Sequence, residues 1–416
     1  MIKRNITDEL LDAMADSPVV FLQGARQVGK STVVKSIVSD AFPALYVSLD
    51  NATSLAAAKS DPGGFIAGLS RPVILDEVQR VPELILAIKE EVDKDRQPGS
   101  FLLTGSASFL TLPLVNESLA GRMEILTLWP LSLGELQHRK ECFIDRLFSN
   151  DFKAGTTSTT KKDFDLFETM VGGGFPEVFV RKSSRRRSAW FESYLTAIID
   201  RDVRDIAGIQ KTENMLRLTR LLAARTGTLL NQSELSRSAQ IPNATVVRYL
   251  ELLRKVFLVH FIPAWSTNFG KRLSKSPKVF MVDSGMAAHL VGADKTRLDR
   301  DPETAGQLLE TFVVNEVAKQ LGWSQTRARP FHFRTHAGLE VDLILETFSG
   351  DVAGIEIKKA VDLRNRHFSS LRALRQSLGD RFKSGVVIYA GSEIVPFEKD
   401  LFAVPVTEMG ASSLEL

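Results

Sequence analysis

Four residues carry the clearest chemical signal in the sequence, because Gly24, Gly29, Lys30 and Ser31 follow the spacing Gly-x-x-x-x-Gly-Lys-Ser. The two glycines allow the backbone to curl so that its N–H groups point at phosphate oxygens. Lys30 can reach the outer phosphates of a nucleotide, and the Ser31 hydroxyl can hold Mg²⁺. The expected nucleotide site therefore comprises Gly24, Ala25, Arg26, Gln27, Val28, Gly29, Lys30, Ser31 and Thr32.

Two acidic residues, Asp76 and Glu77, end a later apolar run that has strand character. At the carboxyl end of a buried parallel strand, Asp76 would lie beside Ser31 and hold Mg²⁺ directly or through water. Glu77 would polarise the attacking water, either as a general base or by orienting it. A solvated strand end is the ordinary explanation for such a pair, but the phosphate loop upstream favours the catalytic one.

A third strand is expected at residues 100–106, where the apolar residues 101–103 lead into the polar sequence Thr104-Gly105-Ser106. Thr104 or Ser106 could touch the γ-phosphate or the lytic water. This position resembles the sensor-1 site of AAA+ ATPases, although an ordinary strand-to-loop turn would look the same. Arg122 precedes the next strand and could project to a neighbouring subunit, where a cation offsets developing phosphoryl charge. A surface arginine is the equal alternative.

The elements that must position these residues alternate between strands and helices. The strands are predicted at residues 19–22, 44–50, 71–77, 100–106 and 124–128, and helices at 6–15, 30–38, 52–59 and 84–92. One extra strand separates the two motifs, and no guanine-reading Asn-Lys-x-Asp is present. This order resembles AAA+ and related P-loop ATPases, with residues 24–31 as Walker A and Asp76-Glu77 as Walker B.

Three further phrases strengthen a resemblance to one family. They are residues 128–136 (LWPLSLGEL), residues 172–177 (GGGFPE) and residues 200–204 (DRDVR). The chain resembles a widespread prokaryotic family in which an AAA-type ATPase domain is followed by a C-terminal domain of unknown function. The resemblance implies ATP and Mg²⁺ as cofactors and a homo-oligomer such as a hexameric ring. It also implies that a neighbouring subunit supplies an arginine to the nucleotide site. Arg122 is the preferred candidate for this arginine, ahead of Arg201 and Arg204.

The middle of the chain has the pattern of a winged helix. Asn231 and Glu234 form a capping pattern before a helix at 232–239, and Gln240-Ile241-Pro242 separates it from a helix at 244–253. Apolar runs at 259–262 and 279–282 could be the strands of a wing. The expected DNA contacts are Thr245, Arg248, Lys271, Arg272 and Lys275, with Lys278 also at the wing tip. Winged helices also serve purely as protein-docking modules, so that alternative stays open.

The C-terminal residues Glu310, Asp342, Glu356 and Lys358 resemble the PD-(D/E)XK nuclease signature. Positions two apart on a strand share a face, so Glu356 and Lys358 point the same way and Asp342 can meet them from the neighbouring strand. In such sites carboxylates hold a divalent metal and the lysine orients or activates water. An active nuclease site and a structural remnant that binds DNA or a partner are equally compatible with these residues.

Composition narrows the class of protein but not its partners. Lys and Arg exceed Asp and Glu by only three in 416 residues, so the net charge says little about partners. The single cysteine, Cys142, excludes an internal disulfide and a cysteine-based zinc site, and it fits a cytoplasmic location. No apolar run is long enough for a membrane span, and the N-terminus lacks the pattern of a signal peptide.

We therefore expect an α/β multidomain protein. Its parts are an AAA-type ATPase domain at 1–137, a linker and helical section at 138–205, a winged-helix domain at 206–283 and a PD-(D/E)XK-like domain at 284–416. The expected function is a Mg²⁺-dependent ATPase that translocates or remodels DNA. The alternatives are an ATP-gated DNase that uses a second divalent metal, and an ATP-binding switch or scaffold with a protein partner.

Overall fold

The computed structural model describes residues 2–38, 42–105, 119–155, 164–203, 212–266, 272, 275–335 and 338–412. Ser106, Arg204 and Lys271 lie outside these residues, as do residues 156–163 and the side chain of Arg201. The chain forms two compact units. The first contains residues 3–130 and 254–257, and the second contains residues 131–253 and 258–416.

The first unit is an α/β layer structure. Its elements are α1 (Thr7–Asp16), β1 (Val19–Gly24), α2 (Lys30–Ser36), β2 (Leu45–Ser48), α3 (Ala52–Ser60), α4 (Pro62–Ala67), β3 (Val73–Asp76), a 3₁₀ turn (Val78–Arg80), α5 (Leu84–Lys94), β4 (Phe101–Gly105) and β5 (Met123–Leu128). The five strands are parallel, in the order β2-β3-β4-β1-β5.

The strand order brings the chemically interesting residues to one edge of this sheet. The strands β1, β3 and β4 are apolar and almost entirely buried, as expected of inner strands covered by helices. Because β4 lies between β1 and β3, the carboxyl ends of all three strands meet. This edge is where open α/β sheets bind their ligands. The expected P-loop sheet, with its extra strand β2 beyond β3, is confirmed.

The first part of the second unit is mainly helical. Its elements are α6 (Leu133–Leu136), α7 (Phe143–Ser149), α8 (Leu166–Gly172), α9 (Pro176–Phe179), α10 (Ser184–Ala197), a π-helical turn (Ile198–Val203), α11 (Thr212–Ala223), β6 (Thr228–Leu229), α12 (Gln232–Ala239), α13 (Asn243–Lys255), β7 (Val259–Ile262) and β8 (Lys278–Met281). The three strands form an antiparallel sheet in the order β6-β8-β7.

Local sequence explains where α12 and α13 begin. The Asn231 side chain accepts the backbone N–H of Glu234 at 3.0 Å, so the predicted N-cap of α12 is confirmed. Gln240 adopts a left-handed conformation that ends α12. Asn243 lies in the first turn of α13 rather than before it.

The remainder of the second unit is a mixed α/β arrangement. Its elements are α14 (Ser284–Val291), α15 (Lys295–Arg300), α16 (Pro302–Gln320), β9 (Ala328–Arg334), β10 (Glu340–Thr347), β11 (Val352–Lys358), a 3₁₀ turn (Asn365–Phe368), α17 (Ser369–Leu378), a 3₁₀ turn (Gly379–Arg381), β12 (Phe382–Tyr389), β13 (Val395–Glu398), β14 (Leu401–Pro405) and a final 3₁₀ turn (Val406–Gly410). The sheet order is β13-β14-β12-β11-β10-β9.

The pairing in this sheet changes from antiparallel to parallel at β11. The strand β10 pairs antiparallel with both β9 and β11, whereas β12 runs parallel to β11 after the crossover helix α17. The fully buried side chains Leu371 and Leu374 of α17 pack in one core with Val341 and Ile344 of β10. The result is a helix, three antiparallel strands, a helix and a parallel strand in sequence order.

Candidate active site

The phosphate loop joins β1 to α2 through two glycines that no other residue could replace without strain. Gly24 has φ 155°, and a Cβ there would lie 2.3 Å from the backbone oxygen of Leu128. Gly29 has φ 98° and sits immediately before α2. Both backbone conformations favour glycine strongly. The loop therefore closes tightly against the end of β5 and delivers the N-terminus of α2 to the sheet edge, where it favours anionic groups.

Lys30 is held over this loop. Its side chain is buried, and Nζ donates to the backbone oxygens of Gly24 at 3.0 Å and Ala25 at 2.9 Å. These contacts keep the ammonium group beside the loop N–H groups, as phosphate recognition requires.

Sequence reasoning missed Arg4, which fixes the loop from the other side. Its guanidinium donates to the backbone oxygen of Val28 at 2.7 Å and to that of Trp129 at 2.6 Å. Arg4 therefore ties the phosphate loop to the residue that follows β5. An arginine near the N-terminus carries no local signal of this role, because both partners are backbone carbonyls far along the chain.

Three hydroxyl groups contact the carboxylate of Asp76. Ser31 Oγ lies 3.1 Å from Asp76 Oδ1, Tyr46 OH donates to Oδ2 at 2.6 Å, and Thr104 Oγ1 donates to Oδ1. Burial, reinforced by the hydrogen bond to the Asp76 carboxylate, raises the pKa of Tyr46 well above its ordinary value. Tyr46 therefore stays a neutral donor, and it is a second residue that sequence reasoning missed.

Glu77 follows in a left-handed conformation, with φ 63° and ψ 42°. A non-glycine residue adopts this conformation at a cost, and such residues concentrate at functional sites. The Glu77 backbone N–H donates to Thr104 Oγ1 at 3.2 Å, and its carboxylate accepts a hydrogen bond from Gln79 Nε2. The side-chain oxygen of Gln79 is buried, has no hydrogen-bond partner among the described residues, and lies over Gly105, where a Cβ would approach it to 2.7 Å.

These contacts define what the edge can do chemically. Ser31 and Asp76 present only oxygen atoms and lie within hydrogen-bonding distance of each other, which fits the ligand preference of Mg²⁺ beside a phosphate chain. Glu77 is half-buried and next to them, where a carboxylate can accept a proton from water or orient it. Thr104 contacts both acidic residues and therefore belongs to this network. The other sensor candidate, Ser106, lies outside the described residues.

Arg122 lies at the opposite end of the sheet. The strands β1 and β5 run parallel, with Val19 beside Met123, and Arg122 precedes that pair. The phosphate loop begins at the other end of β1, roughly 17 Å away along the strand. The Arg122 guanidinium instead pairs with Asp93 at 2.6 Å.

The expected DNA contacts differ in their surroundings. On α13, Arg248 is exposed and Thr245 is half-buried, and Lys275 is half-buried before β8. Arg272 is held inward, because its guanidinium makes two hydrogen bonds to Glu346, at 2.5 and 3.0 Å. The expectation that Lys278 belongs to an exposed wing tip is wrong, since Lys278 is only 2% exposed and pairs with carboxylates inside the second unit.

The four residues of the nuclease-like signature come close together in the second unit. Lys358 Nζ lies 2.9 Å from Glu356 Oε2 and 3.8 Å from Asp342 Oδ2. Glu310 joins the group through Lys278, whose Nζ is 2.8 Å from its Oε1. We call this set, with Glu340, the carboxylate cluster.

Burial dominates the protonation behaviour of the carboxylate cluster. Burial, and next the charge of Asp342, raise the pKa of Glu310 to about 7 and that of Glu356 to about 8. Burial alone would lower the pKa of Lys278, but Glu310 and Asp342 outweigh it and raise that pKa above its ordinary value. The cluster therefore keeps a charged lysine among carboxylates that bind protons more readily than usual.

The described residues contain no group of three or more His, Cys, Asp or Glu side chains arranged to hold a metal ion. Within the same residues, no helix is both long enough and apolar enough to cross a membrane.

Comparisons with known proteins agree with this site. Three family models match: an AAA domain (AAA_14) at residues 16–137, a domain of unknown function (DUF8612) at 163–297 and another (DUF4143) at 305–409. Uncharacterized proteins of Mycobacterium tuberculosis and Mycobacterium bovis are each 30% identical over 409 residues, which is 98% of this chain and 84% of theirs.

Among solved structures, the Walker-type ATPase of Pyrococcus abyssi is similar at 15% identity and a TM-score of 0.42. The match covers 70% of this chain and 96% of that one. The AAA model spans both Walker motifs, and the DUF4143 model spans the carboxylate cluster except Lys278. The chain therefore belongs to the family of prokaryotic AAA-type P-loop ATPases in which the ATPase domain is followed by a C-terminal domain of unknown function, DUF4143.

Proposed function

We propose that this protein is a Mg²⁺-dependent ATPase that works as a homo-oligomeric ring and translocates or remodels DNA. The ATPase part rests on the network that joins Ser31, Asp76 and Glu77 at the sheet edge. The DNA part rests on one observation, the arrangement of residues 212–281.

In the proposed reaction, backbone N–H groups of the phosphate loop and Lys30 bind the β- and γ-phosphates. Ser31 and Asp76 hold Mg²⁺, which offsets phosphate charge when bound. Glu77 orients the attacking water and accepts its proton, while Thr104 orients the Asp76 carboxylate relative to the backbone of Glu77. Glu77→Gln should therefore retain ATP binding and lose turnover, whereas Lys30→Ala should weaken both.

The proposal of an oligomer is supported by the position of Arg122. It lies at the end of the sheet opposite its own phosphate loop, beyond the reach of an arginine side chain. Any part that Arg122 takes in hydrolysis must therefore be played at the phosphate loop of a second copy of the chain.

The proposal of DNA as substrate is supported by the order of elements α11, β6, α12, α13, β7 and β8. This order resembles that of winged-helix modules. It consists of a helix, a short strand, two helices and two further strands that complete a three-stranded sheet. In such a module the helix α13 would serve as the recognition helix, and it carries Arg248 on its exposed side. With Lys275 before β8, this surface can meet phosphate oxygens.

The first experiment is ATP turnover by the full chain with and without double-stranded and branched DNA, in Mg²⁺ and in EDTA. Lys30→Ala provides the blank. Stimulation of turnover by DNA supports the proposal, and turnover that persists in EDTA contradicts the role given to Mg²⁺. Turnover indifferent to DNA contradicts the DNA part and favours a switch or scaffold with a protein partner.

Two variants locate the DNA surface. Arg248→Ala should weaken DNA binding at every sequence and reduce the slope of log affinity against log salt by about one. Arg300→Ala, an exposed arginine on α15, is the matched control and should leave that slope unchanged. Equal effects of both substitutions would show that α13 is not the binding surface.

A further inference from the structure

Lys278 occupies the centre of the carboxylate cluster. Its Nζ lies 2.8 Å from Glu310 Oε1, 3.0 Å from Glu340 Oε1 and 3.9 Å from Asp342 Oδ1. The side chain is 3% exposed, so the ammonium group interacts with these oxygens with little competition from water. The ion pairs join β8 to α16 and β10.

The carboxylates need a cation at this position. Glu340 and Asp342 are two apart on β10 and face the same side, and Glu310 approaches them from α16. Their side chains are at most 34% exposed, and carboxylates held this close together repel one another unless a cation lies between them. In the metal-dependent nuclease signature this counter-charge is a divalent ion, whereas here a lysine supplies it permanently.

Each carboxylate oxygen of Asp342 already faces an ammonium group. Its Oδ2 accepts the backbone N–H of Ile357 at 2.8 Å and lies 3.8 Å from the ammonium group of Lys358. Its Oδ1 faces Lys278. A divalent ion here would need several oxygen ligands and would lie close to two ammonium groups that repel it. The residues therefore do not fit a metal site, although each acidic position of the signature is filled.

We propose that the ammonium group of Lys278 replaces a divalent metal in the carboxylate cluster, so that the cluster anchors β8 to the C-terminal domain and does not support metal-dependent DNA cleavage. This proposal goes beyond the ATPase function and does not depend on it. It also makes a positive prediction, because removal of the resident cation should create a metal site.

The test is titration of the nucleotide-free, full-length protein with Mn²⁺, followed by the electron paramagnetic resonance signal of free Mn²⁺. The wild-type protein and Asp342→Asn should give superimposable curves, because the native cluster binds no metal. Lys278→Met, which keeps most of the buried stem and removes the charge, should bind Mn²⁺ at least about tenfold more tightly than the wild-type protein. Adding Asp342→Asn to Lys278→Met should abolish that gain.

Lys399→Met is the matched control, since it removes an exposed lysine between β13 and β14 that lies outside the carboxylate cluster, and it should give the wild-type Mn²⁺ curve. A second measurement is the melting temperature, which Mn²⁺ should raise more for Lys278→Met than for the wild-type protein, and by the same amount for the wild-type protein and Asp342→Asn. A wild-type Mn²⁺ site that disappears in Asp342→Asn would overturn the proposal, and so would a folded Lys278→Met variant without Mn²⁺ binding. The comparison of wild-type protein with Asp342→Asn decides the matter even if Lys278→Met does not fold.

Discussion

The side-chain amide of Gln79 donates a hydrogen bond to the carboxylate of Glu77, two residues before it in the chain. The left-handed backbone of Glu77 and the 3₁₀ turn that follows make this contact possible. The proposed water-orienting carboxylate is thus held by a neighbour that neither Walker motif contains.

Gln79→Leu should lower kcat about tenfold or more and leave the KM for ATP nearly unchanged, because Glu77 loses its fixed orientation while the phosphate loop is untouched. Steady-state ATP hydrolysis measures both constants. Gln79→Glu is the companion variant, since it keeps the shape and places a second carboxylate beside Glu77. A normal kcat in Gln79→Leu would remove Gln79 from the mechanism.

Arg4→Ala should weaken nucleotide binding by about tenfold, because two charge-assisted hydrogen bonds that hold the phosphate loop disappear. Titration with a fluorescent ATP analogue measures the affinity. The neighbouring exposed Lys3 provides the control, and Lys3→Ala should bind as the wild-type protein does. If Arg4→Ala lowers only the melting temperature and not the affinity, Arg4 is a structural residue of the first unit.

Arg122→Ala should leave ATP binding intact and reduce turnover at least tenfold, as expected of a cation that acts across a subunit boundary. Mixing Arg122→Ala with Glu77→Gln should restore part of the activity, because some interfaces then combine an intact arginine with an intact glutamate. Asp93→Ala separates the alternatives, since it removes only the internal partner of Arg122. If Asp93→Ala loses as much turnover as Arg122→Ala, their ion pair is structural.

Glu141 should make the stability of the second unit depend on pH. It is 3% exposed and accepts the N–H of Gly134 at 2.7 Å. Burial, and next the charge of Glu316, raise its pKa from 4.5 to about 7. A raised pKa in the folded state means that this contribution to stability is complete below about pH 4.5 and is lost as pH rises through 7.

Glu141→Gln should remove this loss, which is on the order of 3 kcal/mol in the free energy of unfolding. Urea unfolding followed by circular dichroism between pH 4.5 and 8 measures it. Glu303→Gln, at an exposed position on α16, should keep the wild-type pH dependence. Parallel curves for wild type and Glu141→Gln would contradict the assignment.

The bounds of elements that are flanked by capping or turn residues could be predicted from the sequence almost to the residue. The helix α12 was expected at 232–239 because Asn231 caps it and a Gln-Ile-Pro turn follows, and β7 was expected at 259–262. The nucleotide site was predictable for the same reason, since glycine, lysine and serine are required at fixed spacing by the shape of the loop itself.

The roles of Arg4, Tyr46, Gln79 and Lys278 could not be predicted, because each is defined by a partner that only the fold brings near. Lys278 is the sharpest case. It follows several basic residues, a context typical of a solvated loop, yet its ammonium group pairs with Glu310, 32 residues away on another element. Charge patterning along the chain does not reveal such burial.

The hydrogen bond from Tyr46 to Asp76 has a practical consequence for spectroscopy. The chain contains only four tyrosines, so uniform labelling with 3-fluorotyrosine should give a ¹⁹F NMR spectrum simple enough to assign by single Tyr→Phe substitutions. Tyr46 lies on the edge strand β2, but its hydroxyl reports directly on the Asp76 carboxylate. Its resonance therefore offers a way to follow events at the phosphate loop in solution without modifying the nucleotide.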